Sequence, residues 1–198
     1  MPSTSAPFGL RPAFHPSGLD RAQALQNGIA SGYSSDIYKG QPVRYVTTAI
    51  GGTIGTIVPA AATGAWVGCF AGVEWTETSG RARVSNYWPA STAVQTGSVT
   101  AYFYNDPNIV YEIQSDATIA QTSIGNEYNF ASVAAGSTTT GLSSALLGVS
   151  TAVGNGVQGQ MRVVDIAPYP GNAWGDAYVV VRVVCANSQF FGAVTAIA

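Results

Sequence analysis

The chain has 198 residues and a mass of 20.4 kDa; 46% of its residues are hydrophobic, 11% aromatic and only 9% charged, against roughly 25% charged in an ordinary soluble domain. This apolar content excludes disorder driven by excess charge and suffices for the cores of one or two small domains. With 8 basic and 10 acidic residues, a net charge of −2 and a pI near 5.1, the chain has no electrostatic footprint for phosphate backbones or for a basic membrane-surface helix, so neither nucleic acid nor membrane is an expected partner.

Residues 1–36 hold four of the ten prolines, Pro2, Pro7, Pro12 and Pro16, among the isolated apolar residues Phe8, Leu10, Phe14 and Leu19. No strand or helix period is sustained, so the segment is predicted to be an extended arm with one helical turn at Asp20 to Asn27. Its phenylalanines are costly to leave in water, which predicts that the arm docks on something. Met1 to Pro7 has neither the cationic start nor the continuous hydrophobic stretch of a signal peptide, and synthesis in a cytoplasm is the expectation.

Residues 37–105 read as strand after strand. Gln41 to Thr48 alternates Val43, Tyr45 and Thr47 against Arg44 and Val46, and Thr53 to Val58 is a β-branched run after Gly51-Gly52. Ala65 to Trp75 sets Val67, Cys69, Ala71, Val73 and Trp75 on one predicted face and Trp66, Gly68, Phe70 and Gly72 on the other, where glycine allows a bend or the close approach of another backbone. Arg81 to Trp88 and Ser98 to Tyr104 follow. Residues 106–198 continue with Ile109 to Gln114, Glu127 to Val133, Gln160 to Ala167 and Ala177 to Ala186, the last so apolar that burial on both faces is predicted. Tyr178 to Ala186 is the longest apolar run and is interrupted by Arg182, far short of the ~20 residues of a membrane span. Between them, Ala134 to Gly159 is dominated by Ala, Ser, Thr and Gly and is predicted to be loop or irregular strand, with Leu142, Leu146 and Leu147 able to support one helical turn. The expected fold is therefore all-β: one or two small barrel or sandwich subdomains, at 37–105 and 106–198 or as one continuous domain over 37–198, behind the arm at 1–36.

Chemistry is sparse. His15 is the only histidine, and nothing near it in the sequence supplies a nucleophile or an orienting acid. Glu74 and Glu77 flank a turn, where pairing with Arg81 or Arg83 is expected, and Asp106, Glu112 and Asp116 surround a strand. Cys69 and Cys185 sit in hydrophobic runs and read as two buried thiols, too few with one histidine for a four-ligand zinc site. Gly154-Asn-Gly156-Val-Gln-Gly159 matches a dinucleotide-binding pattern, but a predicted strand follows it where a helix is required, so it reads as a loop. No catalytic residue, cofactor or metal is expected. Trp66, Trp75, Trp88 and Trp174 with ten tyrosines could line a carbohydrate or peptide groove, although positions within strands favour core and interface packing. Tyr102, Phe103, Tyr104 and Tyr111 are dense enough to need cover on both strand faces, which points to another subunit; Trp66 and Phe70 join Tyr102, Tyr104 and Tyr111 as interface candidates.

Several segments resemble virion structural proteins of tailed bacteriophages: Pro7-Phe-Gly-Leu-Arg-Pro12, Lys39-Gly-Gln-Pro-Val43, the glycine-aromatic strand from Gly68 to Gly72, and Ala101-Tyr-Phe-Tyr-Asn-Asp-Pro-Asn-Ile-Val-Tyr-Glu-Ile-Gln-Ser-Asp116. Gly125-Asn126, Gly136-Ser-Thr-Thr-Thr-Gly141 and Ile166-Ala-Pro-Tyr-Pro-Gly-Asn172 follow in the same order. The resemblance implies a head decoration, or cement, protein without enzymatic activity, carried on the capsid exterior and bound to the major capsid protein at capsomer junctions as a homotrimer. Phe8, Leu10 and Phe14 would anchor the arm there, with Arg11 and Arg21 pairing with capsid carboxylates. The alternative is a receptor- or carbohydrate-binding module of a tail or fibre.

Overall fold

Runs rich in β-branched and aromatic residues, punctuated by Gly, Pro and Asn, fold into antiparallel strands because each run can bury one face while its neighbours satisfy the backbone. The computed structural model describes residues 4–18, 21–46, 55–150, 152–153 and 156–190. Leu19, Asp20, Thr47 and Thr48, the Gly51-Gly52 pair with Thr53, and Gly154-Asn155 of the glycine-rich motif lie outside the described residues. The protein is all-β, with fourteen strands and one 3-10 turn at Gln121–Ser123 among the described residues.

Two sheets of six strands carry the fold. The N-terminal sheet runs in the order β2 (Gln23–Gln26), β7 (Thr100–Tyr104), β5 (Gly68–Thr76), β3 (Pro42–Tyr45) and β4 (Ile57–Pro59), with β6 (Ala82–Ser85) also paired to β5. The C-terminal sheet runs β1 (Arg11–Phe14), β8 (Val110–Gln114), β14 (Val180–Cys185), β13 (Met161–Ile166), β9 (Glu127–Ala131) and β12 (Leu146–Gly148). A small hairpin of β10 (Gly136–Ser137) and β11 (Leu142–Ser143) lies apart, and neither large sheet closes into a barrel. Strands between residues 42 and 104 build one sheet and strands between 110 and 185 the other, while the segment read as an arm contributes an edge strand to each.

Three expectations are corrected. The helical turn predicted from Asp20 to Asn27 is strand β2, because Gln23 to Gln26 pair residue for residue with Phe103 to Thr100 and the edge of β7 overrides a weak local preference. Leu142 and the Leu146-Leu147 pair, in the stretch read as loop or irregular strand, lie in the short strands β11 and β12. Strand β14 is not buried on both faces: Val181 and Val183 are fully buried, whereas Val180, Arg182 and Val184 are half-buried on a side that no second sheet covers. In β5 the predicted single face is split, since a register shift against β7 between Phe70 and Gly72 inverts the alternation. Gly68 in that strand is required for a different reason: a β-carbon there would stand 1.7 Å from the Tyr104 carbonyl oxygen.

The split in β5 produces two cores. Tyr111, Ile113, Met161, Val163, Val181 and Val183 on the inner face of the C-terminal sheet close over Trp66, Cys69 and Leu10. On the other side of β5, Phe70, Val73, Trp75 and Phe103 are covered by loop residues Ile29, Ile37 and Trp88. Each such side chain contributes about 1.5–3 kcal/mol of burial.

In a chain so short of charge, glutamine amides tie the parts together. Buried Gln160 donates to the carbonyls of Ala61 and Gly64 at 3.1 and 2.9 Å and accepts from Phe130 N–H at 3.0 Å. Gln41 donates to Val133 O at 3.0 Å and accepts from Tyr38 N–H at 2.7 Å. Gln189 accepts from Tyr45 N–H at 2.6 Å and donates to Tyr45 O at 3.2 Å, filling the place of a strand neighbour beside β3. Neutral amides satisfy both backbone donors and acceptors without the desolvation cost of a buried ion.

Candidate functional site

The outer face of the C-terminal sheet, partly overlain by the N-terminal segment and the loop after β13, has the most distinctive chemistry in the molecule. Arg11 on β1, Glu112 on β8, Arg182 on β14 and Asp165 on β13 stand in register, an alternating row of charge across four strands. Arg11 meets Glu112 at 2.7 Å and Arg182 reaches its other oxygen at 3.6 Å, with side-chain exposures of 53% for Arg11 and 6% for Glu112. Tyr169, from the loop after β13, donates its hydroxyl proton to Glu112 and accepts from Arg11. Desolvation alone would raise the Glu112 carboxyl pKa, yet the Tyr169 and Arg11 hydrogen bonds and the charges of Arg11 and Arg182 outweigh it, and the group sits below the ordinary glutamate value. Burial and the neighbouring carboxylate raise the Tyr169 phenol above its ordinary value. Farther along the same face, fully buried Glu127 accepts from Arg162 at 2.9 Å and from Gly159 N–H at 2.8 Å.

Aromatic and apolar groups overlie this row. The Arg11 guanidinium lies 5.0 Å from the Phe8 ring centre and 5.5 Å from that of Tyr169, and Arg182 lies 5.4 Å from that of Phe14. A register shift in β13 between Val163 and Asp165 lets Val164 and Asp165 together oppose Arg182, turning Asp165 outward beside Val164. Phe14, Tyr169 and Val164 remain 44%, 39% and 36% exposed. Arginine and tyrosine beside exposed apolar surface is the composition of an interface core, and the arginine charge is already neutralised within the chain.

The structure thus brings three of the five arm candidates, Phe8, Arg11 and Phe14, onto one face of the chain's own sheet. Leu10 is instead a core residue: its N–H donates to Gly40 O at 2.7 Å and its side chain is buried, so it is removed as a contact for another molecule. Arg21 stands elsewhere, on a wide cleft of about 690 Å³ with Asn105, Asp106 and Phe190. Trp66, Phe70 and Tyr111 are likewise corrected from interface candidates to core. Trp66 packs 5.9 Å from Tyr111 and 5.1 Å from Phe130, and its indole N–H donates to Gln160 O at 2.8 Å. Phe70 is fully enclosed in the second core, so cover for these dense aromatics comes from within the chain. Tyr104 is half-buried against the first core, and Tyr102 donates to Glu74 at 2.9 Å on the outer face of the N-terminal sheet.

His15 has the partners that its sequence neighbourhood concealed. Its Nε2 lies 3.0 Å from Asp106, and its Nδ1 lies 2.6 Å from Ser17 Oγ and accepts from Ser17 N–H at 3.0 Å. The nearby donors are committed, however: Ser17 N–H to His15, Gly18 N–H to His15 O and Asn108 N–H to Asp106. The trio ties the N-terminal segment to the loop before β8. Among the described residues no group of three or more His, Cys, Asp or Glu side chains could hold a metal ion. Cys69 and Cys185 are free thiols, each pushed up to about 12 by burial and so neutral and unreactive at neutral pH.

Sequence reasoning missed Tyr169 and Val164. Tyr169 lies 57 residues from Glu112, and the Pro-Tyr-Pro setting that exposes it was the one available signal. No family model, curated protein or solved structure matches the chain.

Proposed function

We propose that the protein is a structural subunit of a tailed-bacteriophage particle: a decoration protein that docks on the major capsid protein, outside the head at capsomer junctions, through the outer face of its C-terminal sheet. The observation that carries this reading is the exposed Phe14–Tyr169–Val164 surface laid over the alternating row of Arg11, Glu112, Arg182 and Asp165. Such a face gains from losing water and brings no net charge into a protein interface. The low charge of the whole chain supports the same role, because a freely soluble surface is usually about 25–35% charged and this chain is 9% charged. Closed symmetry, as a trimer, would multiply modest contacts into firm attachment without new chemistry. Chemical catalysis plays no part in this role.

The test is to mix purified protein with heads that lack it. Saturation at a fixed number of copies per head is the expected result, with Tyr169→Ala and Phe14→Ser each weakening uptake about tenfold or more, as for loss of an interface anchor. Failure to bind heads, together with capture of host-surface glycans, would replace this reading with the receptor-binding module of a tail or fibre.

A further inference from the structure

Where the arm crosses Gly40 and the start of β5, a cleft of about 430 Å³ opens at the seam of the two sheets. Its accessible lining is apolar, formed by the partly buried Phe8, Pro12, Ala71 and Tyr104 above the buried Leu10 and Cys69, and its rim carries Lys39 and Leu142. The crossing is rigid: a β-carbon on Gly9 would meet Gly40 O at 2.4 Å, and one on Gly40 would meet Phe8 O at 2.8 Å. A cleft held open by packed backbone is preformed, and its size suits a single small molecule.

Two features of the rim have no explanation in the fold. Leu142 is 40% exposed although it belongs to a strand, and Lys39, the only lysine of the chain, is exposed with no ion pair or side-chain hydrogen bond among the described residues. The backbone fixes these two side by side, since Lys39 and Leu142 form a parallel bridge in which Lys39 N–H donates to Gly141 O and Ser143 N–H donates to Lys39 O, both at 2.9 Å. Arg11, across the cleft, is committed to Glu112, so Lys39 is the available cation. The Lys39 charge reaches the Cys69 thiol in the floor, and that thiol is neutral at physiological pH, leaving no internal anion in the floor to compete.

We propose that this cleft binds a small amphipathic carboxylate, its aliphatic chain lying against Phe8, Ala71, Tyr104 and Leu142 and its anionic head paired with the Lys39 ammonium. An exposed leucine and an unneutralised cation side by side are complementary to one ligand class, an apolar body ending in a negative charge. A cationic head would meet repulsion from Lys39, and a neutral one would forgo the charge-assisted bond.

Decanoate, decanol and decylammonium, each below its micelle concentration, are suitable probes for isothermal titration calorimetry of the full chain. Decanoate is expected to bind once per chain, with decylammonium weaker by about tenfold or more, the ratio set by one charge-assisted contact. Lys39→Gln should lower decanoate affinity to that of decanol, and Ala71→Trp, on the cleft wall, should remove binding of all three probes. If Ala71→Trp fails to fold, Leu142→Asp at the exposed rim tests the same requirement. Absence of decanoate binding, equal affinity for decanoate and decylammonium, undiminished binding by Lys39→Gln, or more than one molecule per chain would overturn the proposal.

Discussion

The C-terminal sheet gathers Arg11, Glu112, Glu127, Arg162, Asp165 and Arg182 on its outer face, where buried Glu112 and Glu127 pair with arginines and aromatic rings lie over the Arg11 and Arg182 guanidinium groups. The equivalent face of the N-terminal sheet carries Ala24, Gln26, Tyr102, Glu74 and Val84, joined by the single Tyr102–Glu74 hydrogen bond and a long Thr100–Gln26 contact of 3.4 Å. Inside, the order is reversed. The N-terminal sheet makes a closed core with its own loops, with Trp75 and Trp88 packed edge to face at 5.6 Å, whereas the first core depends on residues from both halves of the chain. One sheet is organised around its own interior, and the other holds a chemically elaborate face outward. The contrast teaches that scarce charge is concentrated where it orients aromatic groups rather than spread for solubility.

The sharpest way to break this contrast is to remove a buried charge from the C-terminal face. Glu127→Gln removes the buried carboxylate that pairs with Arg162, and equilibrium denaturation should show a loss of roughly 3–5 kcal/mol, the usual cost of breaking a buried pair. Glu77→Gln, which breaks the exposed Arg83–Glu77 pair at the hairpin of the N-terminal sheet, should leave the unfolding midpoint unchanged. Equal losses in the two variants would erase the distinction.

Tryptophan substitutions compare the two cores. Trp66→Phe loses volume together with the bond to Gln160 O, and should cost about 2–4 kcal/mol. The Trp88 indole N–H is buried with no hydrogen-bond partner among the described residues, so Trp88→Phe loses packing but relieves an unsatisfied donor and should cost about 1 kcal/mol less than the first change. Chemical denaturation of both variants reads the difference directly, and a larger loss for Trp88→Phe would contradict the assignment of the inter-sheet clasp to the first core.

The Glu112 cluster makes a smaller prediction. Its folded-state pKa is depressed, so the stability it contributes is present above the ordinary glutamate value of 4.5 and is lost as pH falls through the folded value. Melting temperature should therefore fall on acidification below about 4.5, and Glu112→Gln should flatten that part of the profile while lowering stability at neutral pH. A profile of unchanged steepness would show that the row of charge does not hold the face together.

Much of the strand pattern was legible in the sequence because the runs Ser98 to Tyr104, Ile109 to Gln114 and Gln160 to Ala167 are rich in β-branched and aromatic residues and are punctuated by Gly, Pro and Asn. Parity was not legible at Ala71 and Asp165, since a one-residue bulge changes which face every later side chain occupies and leaves little local signal. The arm was read as extended, which its prolines dictate, but its pairing with β7 and β8 depends on partners some 80 to 100 residues away. The same separation hid Asp106 from His15 and Tyr169 from Glu112. Trp66, Phe70 and Tyr111 are expected from the sequence to face another subunit; the two cores bury them within the chain instead, through partners distant in sequence.

The central claim, that the outer face of the C-terminal sheet is the docking face, is tested most directly by hydroxyl-radical footprinting of the protein free and bound to heads. Phe14 and Tyr169, both accessible in the free chain, should become protected on binding, while Val84, 82% exposed on the other sheet, should stay equally reactive. Protection of Val84 with Phe14 and Tyr169 unchanged would contradict the account.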